Sequence, residues 1–284
     1  MLVAAVGSKV TKFKVGDRAG VGCMVDSCME CDSCTHGKEQ YCERGQTLFT
    51  YGYPDKRSPS GISQGGYATN IVVRDHFAVH IPSHIPLQEA APLLCAGITT
   101  YSPLMQANFD IGAKIGVAGV GGLGHLAVKL AVSKGAEVYA FTTSADKVSD
   151  ILGFGAKEVI VVDSLQKLRD HKGRLDYLIN TIPVQYDVGA YTSVVRPHGY
   201  YTQVGMAAGF NLDVNMFALS VSRVHFNVSL IGGIPETQEV LHYCADAQVR
   251  PQIQIIKAAE ISGAWRKVVN KQARYRYVID TATI

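Results

Sequence analysis

The segment Gly119-Val120-Gly121-Gly122-Leu123-Gly124 restricts this chain more than any other, because it sets G-x-G-x-x-G between an apolar run and a helical pattern. Ile115-Gly116-Val117-Ala118 reads as a buried strand and residues 123–134 read as a helix. In that context each glycine has its own task. Gly119 permits a tight turn, Gly121 lets a pyrophosphate approach the backbone, and Gly124 lets the helix pack close to the strand. The free N–H groups at the helix start then face the phosphates. A plain strand-to-helix turn is the competing reading of the same six residues.

The surrounding pattern supports a parallel sheet. From about residue 96 apolar strands alternate with helical stretches, as happens when helices cover a parallel sheet on both faces. Strands are expected at 137–141, 158–162, 175–180, 199–204 and 227–231, with a helix at 145–154, a count that suits a six-stranded nucleotide-binding sheet. Residues 1–95 differ. They are rich in Gly, Pro and short β-prone runs such as 67–73, and Ile81-Pro82-Ser83-His84-Ile85-Pro86 cannot hold a helix, so it leads to one starting near Leu87. The fold class is therefore α/β. A mostly β domain is expected over 1–95, a dinucleotide-binding domain over 96–234, and a return to the first domain over 235–284, where residues 237–246 form a helix.

The end of the strand at 137–141 bears on which dinucleotide binds. NAD-binding folds place an acid there, about 20 residues past the glycines, to hold the ribose 2′-hydroxyl. Here the chain reads Phe141-Thr142-Thr143-Ser144-Ala145-Asp146-Lys147, three hydroxyls and an ammonium. Such a group can hydrogen-bond and neutralise a 2′-phosphate that a carboxylate would repel, which points to NADP(H). Two alternatives stay open. Asp146 can turn toward the ribose, and Thr143 or Ser144 can serve as a helix cap with Lys147 solvated.

Cys28, Cys31, Cys34 and Cys42 read C-x2-C-x2-C-x7-C, a spacing that closes four thiolates around one zinc ion. A zinc held by four sulfurs has no position for substrate, so this metal braces a loop. Disulfides would compete for those sulfurs, so the cysteine usage points to a reducing, cytoplasmic compartment. A net charge of +3, with Lys and Arg scattered, argues against a nucleic-acid partner, and no apolar run reaches membrane-span length. Cys23 and Cys244 read as isolated packing cysteines.

With these motifs stands Pro92-Leu93-Leu94-Cys95-Ala96-Gly97-Ile98-Thr99-Thr100-Tyr101, together with Gly22-Cys23-Met24-Val25-Asp26-Ser27, Ile231-Gly232-Gly233-Ile234-Pro235-Glu236-Thr237 and Tyr275-Arg276-Tyr277-Val278-Ile279-Asp280. In this order and spacing the chain resembles the zinc-containing medium-chain alcohol dehydrogenases, within them the cinnamyl-alcohol-dehydrogenase-like, NADP-dependent branch. The resemblance implies a Rossmann doubly wound parallel sheet plus a GroES-like β domain, truncated here. It implies hydride transfer between NADP(H) and a primary alcohol or aldehyde, and a homodimer through the edge of the Rossmann sheet. It makes Cys28, Cys31, Cys34 and Cys42 structural zinc ligands and Cys95 a ligand of a catalytic zinc. Thr99, Gly119, Gly121, Gly122, Leu123 and Gly124 match cofactor positions. Thr142, Thr143, Ser144 and Lys147 match the 2′-phosphate site, and Ser229, Ile231 and Gly233 the carboxamide end.

One departure accompanies the resemblance. The family's G-x-C-[HG]-[ST]-D and G-H-E motifs, which supply the other catalytic-zinc ligands and a proton-relay hydroxyl, do not occur, and Met1 aligns just after the expected G-H-E. His36, His76, His80, His84 and His125 are available by type as replacement ligands, and each reads as an ordinary surface or cap histidine. A non-catalytic NADPH-binding remnant, or a fragment of a longer chain, is the alternative expectation.

Overall fold

Short extended segments of the early chain pair locally. In the computed structural model, which describes residues 1–206 and 210–284, β1 (Ala19–Val21) pairs antiparallel with β4 (Ala78–His80). β2 (Met24–Asp26) pairs antiparallel with β3 (Leu48–Phe49) through a register shift. Phe13, Ala19 and Ala78 form a small apolar core beneath the first pair. These strands belong to a unit made of Met1–Ile98 and Ile231–Ile284.

The β-prone run at 67–73 departs from expectation: it is not a strand, and Val72 is 99% exposed. β propensity expresses fit to a paired, half-buried surface, and among the described residues no strand lies alongside this run. The helix after Pro86 forms as expected, over Leu87–Pro92. It continues through a widened π-helical turn, Leu93–Gly97, into a helix over Ile98–Gln106. Pro92, which has no N–H to donate, immediately precedes that turn. Leu93, Leu94 and Ala96 are buried while Cys95 between them is exposed, so the turn hands one thiol outward from an apolar segment.

The second unit, Thr99–Leu230, holds a six-stranded sheet built from β5 (Lys114–Ala118), β6 (Glu137–Thr142), β7 (Glu158–Val161), β8 (Leu175–Asn180), β9 (Val195–Gln203) and β10 (His225–Val228). Every pairing is parallel and the order is β7-β6-β5-β8-β9-β10. In chain order this is 3-2-1-4-5-6, the Rossmann arrangement. The central strands are buried on both faces, which is why they read as unbroken apolar runs: Ile115, Val117, Val138, Ala140, Leu178 and Ile179 are wholly excluded from solvent. β10 lies at the sheet edge and is largely exposed.

Back in the first unit, a helix over Ile234–Asp246 precedes β11 (Ile253–Lys257) and β12 (Arg276–Asp280), which pair in parallel. Among the described residues no helix is long and apolar enough to cross a membrane.

Candidate functional site

In the second unit the glycine turn has the geometry its spacing predicts. Gly119 adopts φ +81°, a conformation in which a side chain is strained, and its N–H bonds to the Phe141 carbonyl at 2.9 Å. A side chain on Gly124 would run into the Gly119 carbonyl, so close approach requires glycine there. Gly121 is the opposite case: a Cβ built on it meets nothing within 4 Å. The protein itself leaves room beside that backbone, which fits a pyrophosphate. Gly121, Gly122 and Leu123 stay partly accessible whereas Gly124 is buried against the turn. The Thr181 hydroxyl donates to the Gly119 carbonyl at 2.5 Å and braces the turn from β8's end.

At the end of β6, Thr142 is buried and its hydroxyl accepts the Ser144 N–H at 3.1 Å. Thr143 is exposed, Ser144 half-buried and Lys147 buried at 7% exposure, so Lys147 is not the solvated lysine of one alternative reading. Thr99 is buried in the first turn of the Ile98–Gln106 helix, and Ser229 is buried with its N–H on the Gln203 carbonyl at 3.0 Å. His125, wholly buried, turns its ring Nδ1 to the Gly121 carbonyl at 3.1 Å, which makes it a core residue of the turn.

In the first unit the sulfur atoms of Cys28, Cys31, Cys34 and Cys42 lie within 4.8 Å of one another. A zinc ion with Zn–S bonds of about 2.3 Å spaces its sulfurs about 3.8 Å apart, and Cys28 and Cys34 stand at 3.8 Å. The donor set therefore fits tetrahedral zinc. Backbone N–H groups of Glu30 and Cys31 point at the Cys28 sulfur at 3.5 and 3.4 Å. Burial raises the Cys42 thiol, but N–H donors of Cys28, Gln46 and Arg44 outweigh it and bring it down to about 6. The Cys31 thiol is likewise lowered, chiefly by the Cys34 N–H. Burial pushes Cys34 up to about 12 despite the Ser27 hydroxyl at 3.3 Å. A metal cation offsets that cost of burying thiolate charge.

The loop is fastened to the Ile234–Asp246 helix by a residue that the motif spacing did not single out. Glu39, wholly buried, accepts the Ile234 N–H at 3.0 Å and meets His76 Nε2 at 2.6 Å. Burial raises its carboxyl, but the His76 hydrogen bond and the Ile234 N–H more than reverse this and leave it below its usual value. Gly233 caps the helix so tightly against the Gly37 carbonyl that no side chain fits, and Ile231 is buried just before it with φ +42°. No local sequence signal announces Glu39, since its helix partner lies 195 residues away.

Cys95 has an unexpected neighbour. Cys23 packs beside this turn, its sulfur reaching the Leu94 carbonyl at 3.7 Å. Interaction with the Cys23 thiol, aided by Arg276 against the cost of desolvation, lowers the Cys95 thiol to about 6 and raises that of Cys23. Among the described residues no third His, Cys, Asp or Glu joins the two sulfurs into a metal cluster. His36 instead contacts Asp32, His76 binds Glu39 and the His80 ring packs at a tilt against Phe13. Two thiols fall short of the three protein ligands of a catalytic zinc.

A 3-2-1-4-5-6 sheet with an open glycine turn, joined in sequence to a sulfur-caged loop, defines a class of dinucleotide-binding protein. Comparison with known proteins narrows it. Residues 2–83 match the family model described as alcohol dehydrogenase GroES-like domain, and residues 122–246 that described as zinc-binding dehydrogenase. The NADP-dependent alcohol dehydrogenase C 1 of Mycolicibacterium smegmatis is 44% identical over 283 residues, which span 100% of this chain and 80% of that protein. The aldehyde reductase YahK of Escherichia coli is 40% identical, over 99% of this chain and 80% of its own length. The crystal structure of CAD from Helicobacter pylori complexed with NADP(H) superposes with a TM-score of 0.92 at 38% identity, covering 99% of this chain and 80% of that one. The chain belongs to the zinc-type alcohol dehydrogenase and aldehyde reductase family of oxidoreductases.

Proposed function

We propose that this protein transfers hydride between NADP(H) and a primary alcohol or its aldehyde. The observation that carries the choice of cofactor is the end of β6, which runs Thr142, Thr143, Ser144 and on to a buried Lys147, with no acid at the strand's end, while the glycine turn is tied to the same strand by the Gly119 N–H on the Phe141 carbonyl. The relatives named as NADP-dependent and the neighbour solved with NADP(H) agree with that reading. When bound, the nicotinamide carries the hydride. The chain's own residues orient it: the Gly121, Gly122 and Leu123 backbone receives the pyrophosphate, and the β6 hydroxyls with Lys147 hold the 2′-phosphate. Thr99, Ser229, Ile231 and Gly233 are assigned to the nicotinamide side. Cys28, Cys31, Cys34 and Cys42 hold the structural zinc.

Calorimetric titration with NADPH and NADH tests the cofactor, with at least about tenfold tighter binding of NADPH expected. Equal affinities would refute the 2′-phosphate site. Oxidation of NADPH at its nicotinamide absorbance, with a panel of primary aldehydes, tests the transfer.

A second reading, an NADPH-binding protein without turnover, is favoured by the pairing of Cys95 with one further thiol and no third ligand among the described residues. Metal analysis separates the two: about one zinc per chain with NADPH binding and no turnover supports the second reading, and about two zincs with turnover supports the first. We further assign the protein to the cytoplasm, because none of its seven cysteines is in a disulfide and four stand at metal spacing. A homodimer through the exposed β10 edge, where Val228 is 60% exposed, completes the reading. Sedimentation at two protein concentrations tests it.

A further inference from the structure

Both polar groups of Gly119 are held by neighbouring strands. Its N–H lies on the Phe141 carbonyl of β6 at 2.9 Å, and its carbonyl accepts the Thr181 hydroxyl, just past β8, at 2.5 Å. β6 and β8 flank β5 in the sheet, so the turn after β5 is tied to both sides at the switch point, where an open α/β sheet takes its ligand. The tie to Thr181 fixes what the chain cannot fix for itself. A glycine at φ +81° offers little resistance to rotation about ψ, so nothing in Gly119 keeps the peptide that follows it from turning over. In a planar trans peptide the carbonyl and the next N–H point opposite ways. Holding the Gly119 oxygen on Thr181 therefore turns the Val120 N–H away from the end of β8, and that N–H meets no acceptor among the described residues.

Thr181 is itself set by a buried polar network. It is 6% exposed and its N–H bonds to the Ala118 carbonyl at 2.8 Å. Asn180, wholly buried, accepts the Ile182 N–H at 2.8 Å and donates to the Tyr201 hydroxyl at 2.7 Å. Gln203 donates to the Ile182 and Gly205 carbonyls at 3.3 and 2.6 Å. Gly205 packs directly on the segment, since a Cβ there would stand 2.5 Å from the Thr181 carbonyl carbon. Satisfied groups before and after Thr181 leave its backbone one position, from which the hydroxyl reaches Gly119.

We propose that Thr181 is a positioning residue for the dinucleotide: its hydroxyl keeps the Gly119 carbonyl turned from the pyrophosphate, so that the turn offers N–H groups there and no oxygen. The proposal rests on the cofactor reading given above. A carbonyl oxygen turned toward the phosphates would repel them, whereas backbone N–H groups attract them. Thr181 acts through Gly119. Pyrophosphate is common to NADPH and NADH, so Thr181 governs affinity for both without choosing between them.

Thr181→Val keeps the shape of the side chain and removes the donor. The full chain and the variant are titrated calorimetrically with NADPH, NADH and adenosine 2′-phosphate, which carries no pyrophosphate. Both dinucleotides should bind the variant at least about tenfold more weakly with their ratio unchanged, while adenosine 2′-phosphate stays within about twofold of the parent. Thr181→Ser keeps the hydroxyl and should bring both dinucleotides back to within about threefold of the parent. A merely structural Thr181 gives another pattern: the urea midpoint falls while the folded Thr181→Val chain binds all three ligands as the parent does. That result overturns the proposal, as does equal weakening of adenosine 2′-phosphate or a Thr181→Ser chain that restores nothing. Should Thr181→Val fail to fold, Thr181→Ala, which puts no methyl against the carbonyl, carries the same comparison. The parent titrations test the underlying reading separately. A parent that binds neither dinucleotide overturns both, and one that binds the two equally overturns only the 2′-phosphate site.

Discussion

The four-cysteine loop and the glycine turn are both short irregular segments, and they differ in what fills the space around them. At the loop, every close approach ends on protein: four sulfurs converge, Glu39 closes on Ile234 and His76, and Gly233 is pressed against the Gly37 carbonyl. At the turn, Gly124 is pressed against Gly119 in the same way, but Gly121 faces open space. A segment closed by its own side chains holds its metal for the sake of the fold. One that leaves a gap beside bare backbone leaves room for a ligand, as the proposed pyrophosphate site requires.

The hardest blow to this contrast would come from removing the metal. Chelation, or Cys34→Ser, should remove about one zinc per chain from this loop and cost about 5 kcal/mol or more, since structural zinc binding is folding free energy in small metal-braced segments. The melting temperature should fall by about 10 °C or more. NADPH titration of the damaged chain should still show binding, because the turn owes nothing to the sulfurs. Loss of binding in step with loss of metal would erase the distinction drawn above.

Two substitutions within the turn sharpen it. Gly124→Ala drives a Cβ into a backbone carbonyl and should cost about 2–4 kcal/mol along with NADPH affinity. Gly121→Ala meets no protein atom, so stability should stay within about 0.5 kcal/mol while affinity drops at least about tenfold. Urea denaturation alongside calorimetry separates them. On the loop side, Glu39→Gln keeps the shape but weakens the bonds to Ile234 and His76, at a cost of about 1–3 kcal/mol with zinc content unchanged. A chain as stable as the parent would show that the junction is held by packing alone.

These two regions also explain what could be read in advance. The turn and the sulfur loop are local: six consecutive residues specify one, and four cysteines within fifteen positions specify the other, so spacing alone carried their geometry. The central strands were legible for a similar reason. Burial on both faces makes β5, β6 and β8 continuous apolar runs. What spacing does not carry is contact between distant segments. Cys23 reads as a lone cysteine until Leu94, 71 positions on, is laid beside it, and Glu39 reads as a surface acid until the helix start at Ile234 arrives. The run at 67–73 failed in the opposite sense, since its β-prone composition found no strand to pair with among the described residues.

The smallest effect expected is the most discriminating for the turn. Lys147→Met keeps the aliphatic stem that burial at 7% exposure demands and removes only the charge. Against a 2′-phosphate the lost ammonium should be worth about 1.4 kcal/mol, a tenfold weakening of NADPH, with NADH affinity and urea stability unchanged. Ser144→Ala should act in the same direction with a smaller loss, about threefold, because a neutral hydroxyl contributes less than a charge-assisted donor. The readout is the ratio of the two affinities and not either alone. A fall in both cofactors together would mean that Lys147 supports the fold of the β6 end, and an unchanged ratio would move phosphate recognition away from this segment.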